Sequence, residues 1–94
     1  MVGRQLVFRA HALQRMLERQ ISVDDVWWVL ESGETIAEYA DDRPRPSRLV
    51  LGWVLKQPLH VVAAVDEESD ITVVISAYRP DPDLWYPGFQ RRRR

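Results

Sequence analysis

The sequence predicts an α+β domain: two amino-terminal helices packed on a twisted antiparallel sheet of about four strands. Three observations lead there. Apolar residues recur at helical spacing between residues 10 and 30, and the period then shortens to that of strands between residues 34 and 78. The strand-like runs are separated by short turn segments, which favours antiparallel neighbours. Helices followed by strands favour helices segregated to one face of the sheet.

Leu6, Val7 and Phe8 form a short apolar lead-in. Ala10, Leu13, Met16 and Leu17 follow helical spacing, so residues 10–20 form an amphipathic helix with Leu13 and Leu17 turned into the core. Arg9 stands where a capping Ser or Asp would serve. Ser22 opens a second helix, Asp25 completes a variant of the capping box, and Asp24 and Asp25 complement the positive end of the helix dipole. Val23, Val26, Trp27 and Leu30 form its buried stripe, and Gly33 supplies a left-handed stop.

"ETIAEY" (34–39) reads as a short strand, and "DDRPRPS" (41–47), with two prolines, as a loop. "RLVLGWVL" (48–55) and "LHVVAAVD" (59–66) are strands joined by a hairpin-sized link, and "ITVVISAY" (71–78) is the last strand. The two middle strands are apolar on both faces, so neither face of the sheet is fully wet. One meets the helices; the other is a shallow groove, a partner site, or covered by the loop after Tyr78. "RPDPDLWYPGF" (79–89) holds three prolines and wraps irregularly, and the four terminal arginines dangle. One domain over residues 1–90 and a basic tail over 91–94 account for the chain.

An apolar content of 46% with 29% charged residues is that of a folded soluble domain. The absence of cysteine excludes disulfides, thiolate metal sites and a thiol nucleophile. No apolar run approaches a membrane span, and the chain reads as cytoplasmic and bacterial in style. The net charge of −1 conceals blocks of +3 (residues 1–20), −7 (21–42), +4 (43–60), −5 (61–83) and +4 (84–94). Such segregation permits a basic site on one surface and a cationic partner on another, although solvated faces explain it equally well.

His11, Arg15 and Arg19 recur at four-residue steps on one flank of the first helix. They form either a solvated face or one wall of an anionic-substrate cleft. His60 interrupts an apolar strand, as a structural histidine or as an acid–base group. Ser76 and Tyr78 share one face of the last strand, and Arg79 follows it. If these groups converge, they suit RNA cleavage without a metal. That reaction removes a proton from the 2′-hydroxyl, donates one to the 5′-oxygen and compensates charge on phosphorus. No HExxH spacing, Gly-rich phosphate loop or GxSxG elbow is present, and neither metal nor cofactor is expected. Trp85, Tyr86 and Phe89 beside the arginine block either stack on RNA bases or hook the tail to the sheet, Trp85 above all. Trp28, at the edge of its helix, marks a contact with another chain, a homodimer being one form.

"HALQRMLERQIS", "VWWVLESGETIAEY", "PLHVVAAV" and "ISAYRP" together resemble a family of small uncharacterised bacterial proteins. That family is similar to RelE-like toxins within the barnase-like and EndoU-like ribonuclease folds. The resemblance covers about residues 8–82 and implies helices followed by an antiparallel sheet. It also implies a toxin-like, metal-independent endoribonuclease acting on RNA and silenced by an antitoxin protein. The motif positions carried over are His11, Arg15, Arg19, His60, Tyr78 and Arg79, with His60, His11 and Tyr78 in acid–base roles and the arginines on phosphate. A non-catalytic protein- or RNA-binding module using the same groove is the alternative.

Overall fold

The computed structural model describes residues 5–93; Arg94 of the expected basic tail lies outside the described residues. The elements run β1 (Gln5–Phe8), α1 (Ala10–Arg19), α2 (Val23–Ser32), β2 (Glu34–Tyr39), β3 (Ser47–Val54), β4 (Gln57–Asp66) and β5 (Ile71–Tyr78). They build an α+β domain with one five-stranded sheet in the order β1-β5-β4-β3-β2. The expected antiparallel sheet is in fact mixed. The lead-in is a fifth strand, and it pairs parallel to β5, Gln5 facing Ile71 through to Phe8 facing Val74. Strands β2 to β5 form the antiparallel meander that their short links require. Among the described residues, no helix is long and apolar enough to cross a membrane.

Both helices cover one face, α1 over β5 and α2 over β3 and β4. Met16, Ile21, Val26 and Val29 meet Val50, Leu59, Val61, Ala63, Val74 and Ala77 there. The stripe expected on α1 is rotated: Ala12 and Met16 are buried, whereas Leu13 and Leu17 are exposed. The small Ala12 and slim Met16 let α1 lie close on the sheet. On α2, Val26 is buried and Leu30 packs on the core as expected, but Val23 and Trp27 are exposed, at 47% and 40%, and Val29 is buried instead. Gly52 explains the turn of the helix. Its missing side chain makes room for Val29, whose Cγ2 would lie 2.7 Å from an added Cβ.

The Ser22 hydroxyl accepts from the Asp25 N–H at 3.0 Å, and the Asp25 carboxylate accepts from the Ser22 N–H, so the capping box forms. The left-handed stop lies elsewhere than expected. Gly33 is extended, and it is glycine because a Cβ would overlap the carbonyl oxygens of Leu51 and Val29. Gln20 adopts the left-handed conformation instead (φ 58°), and the Ile21 N–H donates to the Met16 carbonyl at 2.9 Å.

The opposite face carries Leu49, Leu51, His60 and Ala64, all buried. Its cover is the chain after Tyr78. Tyr86-Pro87-Gly88-Phe89 makes a tight turn, closed by Phe89 N–H to Tyr86 O at 2.9 Å, with Gly88 at φ 91°. Proline followed by a left-handed glycine is the signature of a type II turn. The turn folds Arg92 back to pair with Trp85, so the terminal arginines described here do not dangle. Arg91 and Arg93 lie over the Tyr86 ring, and the Arg93 Nε donates to the Trp85 carbonyl.

Candidate functional site

β1 ends opposite Val74, leaving the last residues of β5 with an open edge. Arg19, in the last turn of α1, reaches that edge and donates from Nη1 to the Ala77 carbonyl at 3.0 Å. Arg79, just past β5, returns the contact. Its guanidinium donates to the carbonyls of Arg19 (2.6 Å) and Gln20 (3.2 Å), where the negative end of the α1 dipole welcomes a cation. The tail supplies a third guanidinium, Arg92, stacked at 6.0 Å over Trp85. Arg19, Tyr78, Arg79, Arg92 and Trp85 thereby line one open cleft of about 390 Å³, joined by Asp81 and Leu84. Three guanidiniums against one carboxylate make it cationic, and each arginine has five N–H donors, more than these contacts use.

His60 lies one layer behind the cleft and has no solvent exposure. Its register partners are Leu51 on β3 and Tyr78 on β5. The Trp85 ring stands edge-on to the imidazole, centroids 4.4 Å apart, with Tyr78 similarly placed at 5.3 Å. The Nε2 atom lies 2.8 Å from the Phe89 carbonyl oxygen. A carbonyl only accepts, so Nε2 carries the proton and Nδ1 presents its lone pair. That lone pair faces the Tyr78 hydroxyl at 3.3 Å, which donates to it. Burial lowers the His60 pKa, partly countered by the Phe89 carbonyl. Burial chiefly raises that of Tyr78, with Tyr39 adding to the rise and Arg92 opposing it. Both shifts favour the neutral pair at neutral pH, with the proton on tyrosine.

The first-helix stripe does not act as one wall. Arg19 lines the cleft, but His11 and Arg15 are exposed on α1 and are not among its lining residues. Arg15 instead stands 4.0 Å from Glu18, one turn along. Arg92 was hidden in the arginine run; the Pro-Gly pair that reverses the chain at 87 and 88 was the signal for it. Trp85 is the hook expected of it, 8% exposed. Trp28 donates its indole N–H to the Trp53 carbonyl of its own chain yet stays 56% exposed. Among the described residues, no three His, Cys, Asp or Glu side chains group so as to hold a metal ion.

Fold and site together define a small α+β domain with a cationic cleft backed by a buried histidine–tyrosine pair. The chain belongs to the DUF4258 family, a domain of unknown function, whose model matches residues 8–79. No curated protein and no solved structure matches the chain. The matched span contains Arg19, His60, Tyr78 and Arg79 and stops short of the tail that covers them.

Proposed function

We propose that this chain is a toxin-like, metal-independent endoribonuclease that grips RNA in the Arg19–Arg79–Arg92 cleft. The observation that carries the reading is Tyr78, which lines that cleft while its hydroxyl is hydrogen-bonded to a buried histidine of fixed tautomer. Tyr78 is the group that touches substrate, and His60 acts through it. As the 2′-oxygen attacks phosphorus, its proton passes to the Tyr78 oxygen while the phenol's own proton moves to His60 Nδ1. The bond from phosphorus to the 5′-oxygen breaks, and the imidazolium returns its proton through Tyr78 to that leaving oxygen. The products are a 2′,3′-cyclic phosphate and a 5′-hydroxyl. Guanidinium donors compensate the charge gathered on the phosphoryl oxygens. Trp85 offers an aromatic face beside the phosphate path, where an unpaired base stacks. By resemblance, an antitoxin protein holds the activity in check.

Purified protein acting on a single-stranded RNA tests the reading. Tyr78→Phe is expected to slow cleavage by about 10²–10⁴-fold, the usual worth of a positioned proton-transfer group. Arg15→Ala, away from the cleft, is expected to cleave as the parent does. Equal cleavage by Tyr78→Phe, or intact RNA with the parent, refutes catalysis. Salt-sensitive binding of intact RNA would leave the non-catalytic RNA-binding module.

A further inference from the structure

A second cleft, also of about 390 Å³, opens at the other side of the sheet, where the carboxyl end of α2 meets β3. β2 begins at Glu34 opposite Leu51, so β3 runs past it from Gly52 to Val54. The Trp28 indole bonds to this free stretch through the Trp53 carbonyl at 3.2 Å. Trp28 and Trp53 both line the cleft, 56% and 47% exposed, with the Trp53 ring edge-on to Phe89 at 6.1 Å. Two half-exposed tryptophans beside one cleft mark a place where something binds.

The electrostatics select the ligand. The Glu34 carboxylate lines the same cleft and is steadied by the Gln90 side-chain amide at 2.5 Å. The negative end of the α2 dipole arrives there, with no basic residue in the helix's last turn. Asp24 and Glu31 stand four residues before and three after Trp28, on its side of the helix. None of these three acids has an ion-pair partner among the described residues. This is the surface of the −7 block of residues 21–42.

We infer that the Trp28–Trp53–Glu34 cleft is a docking site for an arginine side chain on a basic segment of a partner protein. A guanidinium stacks flat on indole and forks onto a carboxylate, so one planar cation satisfies both features at once. RNA is disfavoured, since its phosphates would face Glu34 and the negative helix end. The site shares no lining residue with the RNA cleft and does not rest on the ribonuclease reading.

The test follows the indole N–H signals of the full chain by NMR, each assigned by substituting one tryptophan. The probes are a short oligoarginine peptide, its citrulline counterpart of equal shape without charge, and an oligouridylate. Oligoarginine is expected to shift the Trp28 and Trp53 signals while the Trp85 signal stays, and citrulline to shift neither. Trp28→Ala and Glu34→Gln are each expected to weaken peptide binding by about threefold to tenfold. An unmoved Trp85 signal in both variants reports an intact fold. The inference fails if oligoarginine moves neither signal, if citrulline matches it, if both variants bind as the parent does, or if oligouridylate moves the same pair.

Discussion

Replacing Trp85 by alanine removes the indole that stands 4.4 Å, centroid to centroid, from the His60 ring and is itself 8% exposed. A tryptophan buries on the order of 150–250 Å², which at ~25 cal/mol/Å² sets a ceiling of about 4–6 kcal/mol. The loss should fall below that ceiling, because the freed tail regains conformational entropy; about 3 kcal/mol in urea unfolding is expected. The same change reaches the imidazole. Burial is the larger influence holding its pKa down, and the Phe89 carbonyl that opposes it rides on the same tail. With the roof gone, water solvates the cationic ring and the His60 pKa climbs toward its ordinary value. An NMR titration of the His60 ring protons in parent and variant reads this directly. A stability loss under about 1 kcal/mol, together with an unmoved His60 titration, would refute the account of the tail as a roof.

Because His60 binds its proton less readily when folded, the unfolded chain takes up the extra proton on mild acidification. Stability is therefore complete above the unfolded histidine's range and falls as pH drops from about 7 toward 5, by at most ~1.4 kcal/mol per pH unit. Urea melts across that range check it, and stability that rises toward pH ~5 refutes it. Asp42 and Asp66, lowered chiefly by hydrogen bonds from Ser47 and Ser69, act only further into acid. Gly52→Ala forces a Cβ to 2.7 Å from Val29 Cγ2 and should cost about 1–3 kcal/mol in thermal unfolding. A parent-like Tm would mean that α2 does not seat on that glycine. Arg92→Ala should flatten the dependence of log affinity for single-stranded RNA on log salt by about 0.7, one phosphate contact fewer; an unchanged slope removes Arg92 from the cleft.

Much of the antiparallel part of the sheet is legible in the sequence, because β-branched runs and turn residues alternate there without ambiguity. The last strand falls at 71–78 as its pattern predicts. The lead-in strand is not: burial alternates along it, Leu6 and Phe8 meeting the core, but Leu6, Val7 and Phe8 are all apolar and hide that period, and their partner lies far along the sequence. Helix faces were legible only in part. Two overlapping stripes on α2 share Val26 and Leu30, and the choice between Trp27 and Val29 depends on Gly52 across the interface, which helical periodicity does not see. At the site, Arg19, Tyr78 and Arg79 converge as their types suggested, because the end of β5 sets Tyr78 and the following Arg79 beside the end of α1. His11 and Arg15 share the periodicity of Arg19 but sit too early on α1 to reach that end. Spacing along a helix reveals a shared flank, not how far along it the substrate cleft extends.

Pairing the opening strand with the closing one has a price in biosynthesis. Gln5–Phe8 leave the ribosome long before the ladder that receives them, Ile71–Val74. Until then the nascent chain holds an unclaimed strand and a meander with a bare margin, the arrangement most exposed to stray pairing. Such a distant closure also slows folding relative to a protein of local contacts. The sheet is thus complete only once β5 has been made.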